Sequence, residues 1–255
     1  MKIRNFYPHL VDLHIHTVLS PCGELEMGAP EIIQKTLSSG ISVIAVTDHN
    51  STLNWYALRD AARDMAGEEL LVLPGVEVQT AEDIHIIGIF PGEGETLTFQ
   101  KWIEKGLRDI PNKVDIFGYQ LIIDKNNNII SEYEHLLIQG TVYPIDEVIA
   151  ELHSRDAIII PAHIDRESFS YPYVLGPIPS DLEVDALEIS SAVTAENLAK
   201  LRLQYQERTL LRSSDAHCLR DISPDNCSTL LLKHLDFQEV RRALLPGSDR
   251  VIIQH

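Results

Sequence analysis

The sequence predicts an α/β protein, with a largely parallel sheet in a layered or barrel arrangement and helices outside it. Three observations carry this. Short apolar, β-branched runs alternate with segments of helical character. Most of those runs end in His, Asp or Glu. With 255 residues, the chain is ample for a full hydrophobic core.

Leu10 to Thr17 reads as a buried strand, followed by a loop from Ser20 to Glu26 that carries two carboxylates and a thiol. Pro30 to Ser39 has the pattern of a helix, with Pro in the first turn and Gly40 as the stop. Ser42 to Thr47 is a buried strand running into Asp48-His49-Asn50, and Asn50 or Ser51 caps a helix extending to about Met65. Leu70 to Leu73 leads through Pro74-Gly75 into Val76-Glu77-Val78, and Ile84 to Phe90 is another strand, holding His85. From Pro91 to Val142 the rhythm breaks. Phe99 to Leu107 is helical, and Gln120 to Ile123 with Ile129 to Ser131 flank the turn-forming tip Asp124 to Asn128, a hairpin. This helix-plus-hairpin stretch, about residues 91–142, is an insertion on one domain that spans 1–255. The alternation then resumes. A helix over Pro144 to Ser154 precedes a strand over Ala157 to Ala162, which ends at His163. After a Pro-rich loop (Arg166 to Ser180) come a strand over Val184 to Ile189 and a helix over Ala195 to Tyr205. A strand over Thr209 to Ser213 runs into Asp215-Ala216-His217, and a strand near Thr229 to Leu232, a helix over Asp236 to Leu245 and a tail strand over Val251 to Ile253 close the chain.

Composition excludes some functions. No apolar run approaches a membrane span, and the N-terminal Met-Lys-Ile-Arg-Asn lacks a signal-peptide core. Three cysteines, Cys22, Cys218 and Cys227, fit reduced thiols and a cytoplasmic setting, with the last two as packed thiols. The net charge of −17 repels a phosphate backbone, so the expected partner is a small phosphorylated substrate or a short nucleotide end, and not a long nucleic-acid duplex. Oligomeric state leaves no trace in the sequence.

The chemistry collects at strand ends. His14 and His16 alternate on one strand and so project to one side. His49, Glu77, His85, His163, Asp215 and His217 lie within or just past other buried runs, where α/β folds build their sites. Each has a plain reading when taken singly: a strand-to-helix turn at Asp48-His49, a solvated strand end at Glu77, core histidines at 85 and 163, a capped turn at 215–217. Burying so many titratable groups together is costly unless cations compensate them. Mixed imidazole and carboxylate donors suit zinc, manganese or iron. His9, His135, His153, His234 and His255 belong to no such pattern.

Asp12-Leu13-His14-Ile15-His16-Thr17, Thr47-Asp48-His49-Asn50, Pro74-Gly75-Val76-Glu77-Val78, His85, Ala162-His163 and Ser214-Asp215-Ala216-His217 resemble, in order, the motifs of the PHP (polymerase and histidinol phosphatase) family. The resemblance implies a distorted (β/α)7 barrel whose mouth holds two or three divalent ions and hydrolyses phosphoesters. It groups His14, His16, Glu77 and Asp215 around one ion, with Glu77 bridging to a second held by His85 and His163. It places a third on His49, His217 and a residue of the loop after the first strand. That loop departs from the simplest pattern of the family, Ser-Asp-Gly. Glu24 is the favoured ligand, Glu26 the second, and Cys22 a softer alternative. Asp12 and Asp48 are candidates to orient imidazoles, and Arg166 is a candidate to grip a substrate phosphate, or else pairs with Asp165 or Glu167.

The expected reaction is in-line hydrolysis of a phosphomonoester or phosphodiester by a hydroxide held between cations. Two alternatives stay open: an amidohydrolase-like reaction at a carbon centre, and a catalytically silent PHP module serving regulation.

Overall fold

The computed structural model describes residues 6–253; the N-terminal pentapeptide and His255 lie outside the described residues. In chain order the elements are β1 (Tyr7–Ile15), α1 (Ala29–Ser38), β2 (Ile41–Val46), α2 (Trp55–Met65), β3 (Leu71–Gln79) and β4 (His85–Ile89). There follow α3 (Glu93–Gly106), α4 (Val114–Phe117), β5 (Leu121–Ile123), β6 (Ile129–Glu132), α5 (Ile145–His153), β7 (Ile158–Pro161) and α6 (Tyr171–Leu175). The last are β8 (Leu187–Ile189), α7 (Ala195–Gln204), β9 (Leu210–Arg212), β10 (Ser228–Leu232), α8 (Phe237–Leu244) and β11 (Val251–Ile253). No described helix is long and apolar enough to cross a membrane.

A seven-stranded sheet has the order β11-β10-β1-β2-β3-β4-β7, and β8 pairs with β9 in a parallel ladder. Main-chain bonds Asp185 N to Ile159 O and Ile164 N to Glu188 O set β8 beside β7, both chains advancing together. Past β9, Ala216 exchanges bonds with His14 and His16 in a parallel bridge to the end of β1. The ring β1-β2-β3-β4-β7-β8-β9 is thereby closed, an α/β barrel of seven strands as the sequence implied. Outside that ring β10 and β11 add two further antiparallel pairings. Within it the expected parallel order holds except at β4, which runs antiparallel to both neighbours. That reversal matters, because it brings the first residue of β4, His85, to the rim that the other strands reach with their last.

Alternation along the strands sorts the core. Val43 and Ala45, Leu73, Ile87 and Ile89, Ile158 and Ile160, Ala186 and Leu211 fill the barrel interior. Their neighbours Ile44 and Val46 turn outward onto α1 and α2, and Val76, Val78, Ile86 and Ile159 onto the layer of α3 and α5. Each such buried Val, Leu or Ile side chain contributes roughly 1.5–3 kcal/mol. β1 breaks the alternation on purpose: between Asp12 and Ile15 it takes three steps against two of β2. The extra residue is a bulge. It lets Val11 and Leu13 lie in the interior while His14 and His16 also face inward, one level up, and Ile15 faces out.

Two local expectations change. Pro74 and Gly75 lie inside a continuous β3 and do not interrupt it. Proline is tolerated there because the ladder to β2 stops at Pro74 and the ladder to β4 starts at Gly75. A Cβ on Gly75 would stand 2.8 Å from the Thr47 methyl, so this close strand crossing requires glycine. The N-cap of α2 is Asn54, not Asn50 or Ser51. Asn50 instead sits in the left-handed region (φ 48°), and its amide binds Leu137 O, Gln139 O and Gln79 N.

α3 starts at Glu93, earlier than its pattern suggested, and buries Phe99 and Ile103 in the same core as Val76 and Val78. The segment that leaves the barrel is therefore about 107–142. It returns over the mouth, where Asn54 holds it down. Asn54 Nδ2 donates to Thr17 Oγ1 and to Leu121 O, and its Oδ1 accepts from Ile123 N. Asn54→Ala should cost about 3 kcal/mol, because it strands three buried polar partners. Amide exchange at Leu121 and Ile123 should accelerate with it. A loss below about 0.5 kcal/mol would show that the hairpin docks by other means.

Candidate metal centre

The barrel rim gathers six imidazoles and three carboxylates from seven strand ends. Glu77, 1% exposed on β3, stands at the middle. Its Oε1 lies 2.7 Å from His85 Nδ1, 3.2 Å from His163 Nε2 and 3.3 Å from His14 Nε2. Its Oε2 lies 2.9 Å from His49 Nδ1 and 3.5 Å from His16 Nε2. Asp215 Oδ1 is 3.2 Å from both His14 Nε2 and His16 Nε2, which are themselves 3.1 Å apart.

These separations test whether the residues fit divalent ions. Donors bound to one ion at about 2.0–2.1 Å stand about 3.0–3.4 Å from one another. The His14–His16, His14–Glu77, His14–Asp215 and His16–Asp215 edges, 3.1–3.3 Å, match that spacing, and His16–Glu77 is slightly longer at 3.5 Å. Two neutral imidazoles can share one proton between facing nitrogens, but not with two carboxylate oxygens as well. Moreover, His49 Nδ1 and Glu77 Oε2 are close enough to bond yet not aligned to do so, and both are buried without a hydrogen-bond partner. His85 Nε2 and His163 Nδ1 are likewise unpartnered. Buried donors left so are costly. The residues fit: donor groups His14/His16/Glu77/Asp215, His49/Glu77/His85 and His16/His49/His217 each lie close enough to hold an ion. His163 Nε2 meets the same Glu77 oxygen as His85, at 3.2 Å, and His49 stands at the other oxygen.

The surrounding residues fix the rings. Glu188, on β8, accepts from His14 Nδ1 at 3.0 and 3.2 Å and also from the His163 main-chain N–H. Ser20 Oγ accepts from His16 Nδ1 and from His49 N–H while donating to Asp48. His217 Nδ1 donates to Asp215 O. Each bond sets a tautomer and leaves the other nitrogen facing the centre. Glu188 and Ser20 escaped the sequence reading. The signal for Glu188 was present, a carboxylate in the otherwise apolar Ala-Leu-Glu-Ile run.

Other expected residues fall elsewhere. Asp48 acts on His16 only through Ser20; it also accepts from Thr17 N and Thr17 Oγ1. Asp12 touches no ring. Its Oδ1 accepts from Ser214 N and His14 N, tying the extension of β9 to β1. Burial drives its carboxyl up to about 6 against those bonds. Glu24 and Glu26 do not join His49 and His217: both are exposed, and Glu24 faces Arg220. The turn that aims them outward is set by Gly23 N to Ser20 O and Glu24 N to His217 O. The thiol of the same loop, Cys22, is exposed. Burial opposes its ionisation, but the imidazoles of His217 and His49 bring it down to about 6. Arg166 is partly exposed and pairs with neither Asp165 nor Glu167; its Nη1 bonds Asp215 Oδ2 at 2.6 Å. Phe169 stacks on His85 with centroids 4.7 Å apart. Cys218 and Cys227 are buried, as expected of packed thiols.

Known proteins place this geometry. The PHP domain model matches residues 12–195. Among curated proteins no sequence matches. The lesion-specific endonuclease PfuEndoQ of Pyrococcus furiosus is similar in fold, with a TM-score of 0.65 at 16% identity over 93% of this chain and 56% of that one. So is Endonuclease Q in complex with a 27-mer duplex bearing an abasic lesion (TM-score 0.60, 18% identity, 93% and 56% covered). A two-domain protein of Bacteroides vulgatus containing a predicted PHP-like metal-dependent phosphoesterase gives 0.57 at 14% identity, with 98% and 66% covered. This chain thus spans 56% of the endonuclease chains' length. The exclusion of a long duplex is corrected here, since a protein of this fold holds one. Total charge was the wrong measure: −17 averages over the whole surface, whereas a backbone meets only the potential at the mouth.

Glu188→Gln should keep the fold and weaken zinc binding about 10–100-fold, measured by competition with a chromophoric chelator. Unchanged affinity would deny Glu188 its orienting role. A second expectation concerns the ion-free protein. Burial disfavours charge on every ring, yet Glu188, Asp215 and Glu77 hold His14 well above 6.5, and Glu77 and Cys22 do the same for His49. Burial wins at His16, helped by His217 and His49, and also at His85, and holds both below 6.5. Below pH 6.5 the unfolded chain takes up the protons that His16 and His85 refuse, so stability falls with acid. Above it the folded chain keeps the protons of His14 and His49, so their contribution fades as pH rises. Melting temperature in EDTA should therefore decline as pH rises above 6.5, whereas the metal-loaded protein, whose rings are neutral ligands, should not. A flat profile in EDTA would refute this charge assignment.

Proposed function

From the premise that this chain belongs to the PHP domain family, we propose that it is a metal-dependent hydrolase acting on phosphoesters. The single observation that carries the reading is the crowding of His14, His16, His49, His85 and His163 around Glu77 at one rim. His14, His16, Glu77 and Asp215 would hold one divalent ion, and Glu77 with His49, His85 and His163 a second. Such ions lower the pKa of water and neutralise phosphate oxygens.

The chain's own residues supply the rest. Glu188 and the Asp48–Ser20 pair keep His14 and His16 in the tautomer that presents Nε2 to the centre. Arg166, held on Asp215 Oδ2 and partly open to solvent, has further N–H donors for a phosphate oxygen arriving from outside. Phe169 offers a flat apolar face beside His85. That combination favours a phosphate attached to a nucleoside, in a mononucleotide or in a nucleic-acid strand, and the fold's occurrence in endonuclease Q supports the strand.

A panel in Mn²⁺, Zn²⁺ or Fe²⁺ tests it: aryl phosphomonoesters and diesters, nucleotides, single strands, abasic duplexes, and amides for contrast. Phosphoester cleavage is expected, lowered at least about 10³-fold in His14→Ala and His217→Ala proteins whose circular dichroism is unchanged. Amide cleavage alone, or no turnover with ions bound, would overturn the reading.

A further inference from the structure

The chain just past β7 brings two side chains to the rim on one fixed turn. Arg166 N returns to His163 O at 3.0 Å, Ser170 Oγ donates to Arg166 O at 2.6 Å, and His85 N donates to Phe169 O at 2.8 Å. Ser170 is fully buried, and Tyr171 at the start of α6 is buried behind it. None of these bonds uses the Phe169 side chain. Yet Phe169 stands in the left-handed region (φ 54°), which a bulky residue rarely adopts and which Gly or Asn adopts at lower cost. The residue is also 42% exposed, so much of its apolar surface gains nothing from burial. The turn itself does not call for a phenylalanine.

What the ring has is a defined plane in a defined place. One face lies on His85, with centroids 4.7 Å apart and planes 17° from parallel, and His85 Nδ1 is itself 2.7 Å from Glu77 Oε1. A single imidazole thus separates the ring from the carboxylate at the centre. Three residues earlier on the same turn, Arg166 reaches the rim at Asp215 Oδ2. An open aromatic face beside a guanidinium matches the two halves of a nucleotide, a π-surface and a phosphate. We propose that Phe169 is the specificity-determining residue of the bowl: it stacks the base of the nucleotide whose phosphate is attacked, and so selects unpaired nucleotides whatever their base. The inference deepens the phosphoesterase reading and rests on it. Stacking tolerates any base, because every base has a π-face. A base inside an intact duplex already has both faces covered by its neighbours and is closed to the ring until it leaves the stack.

The test is titration calorimetry on the full chain loaded with Zn²⁺, with two single-stranded trimers whose phosphorothioate linkages resist cleavage. One trimer carries its bases, and the other is built of tetrahydrofuran units without any. The base-bearing trimer should bind at least about fivefold more tightly, with adenine or thymine alike. Phe169→Ala should bind both trimers equally, Phe169→Trp should keep the preference, and Phe169→Leu, apolar but not flat, should lose it. A phosphorothioate duplex closed at both ends should bind the unaltered chain and Phe169→Ala alike. Equal binding of the two trimers by the unaltered chain overturns the proposal and, where the phosphoester panel is cleaved, leaves the parent reading standing. A duplex that loses affinity in Phe169→Ala overturns the selection of unpaired nucleotides. Zinc affinity lowered in Phe169→Ala in proportion to the weaker binding shows the ring to be a cover for His85, and overturns the proposal as well. Neither trimer bound also overturns it; if phosphoesters then survive the panel, the parent reading falls with it.

Discussion

One buried carboxylate sets the terms for the rest of the structure. Glu77 carries a single charge, is held out of water, and faces five imidazoles at 2.7–3.5 Å. His85, His14 and His49 keep it ionised well below the ordinary carboxylate range despite burial. It cannot in turn satisfy them all, because two oxygens do not offer five aligned bonds. His49 Nδ1 and Glu77 Oε2, close to each other but not aligned to bond, are the remainder. A protein tolerates that only where something outside the chain completes the pairing.

Seen from this constraint, the barrel's irregularities have causes. The bulge in β1 turns His14 and His16 inward above an apolar floor of Val11 and Leu13. The reversal of β4 gives His85 to the mouth by its first residue. The left-handed backbone at His163 (φ 32°) and Asp215 (φ 52°) bends the chain just past β7 and β9, where both side chains must turn in. Non-glycine residues in that region carry strain of order 1–3 kcal/mol each, tolerated when the surroundings fix them.

Much of this was legible in the sequence, and the failures share a reason. Strand alternation gave the α/β architecture and placed the polar residues at the ends of apolar runs, because those signals are local. The seven-stranded barrel and the grouping of His14, His16, Glu77 and Asp215 came from the family resemblance. Glu188 was missed although its apolar setting marked it, since its role depends on a ring 174 residues away. Glu24 was favoured by its spacing from Met27 and yet faces Arg220, because the direction of a loop side chain is set by tertiary bonds to Ser20 and His217, which no spacing reveals. Asp12 neighbours His14 in sequence and yet serves Ser214, because the bulge turns it between strands. Net charge was too coarse to exclude a duplex for the same reason: it is a sum, and recognition depends on one face.

The most direct test is an anomalous-scattering map from crystals grown with Mn²⁺ or Zn²⁺ present. The account predicts at least about two peaks, one among His14 Nε2, His16 Nε2, Glu77 and Asp215 Oδ1, another on the far oxygen of Glu77. A bowl that stays free of anomalous density at millimolar metal, its imidazoles bonded only to water and to each other, would contradict it.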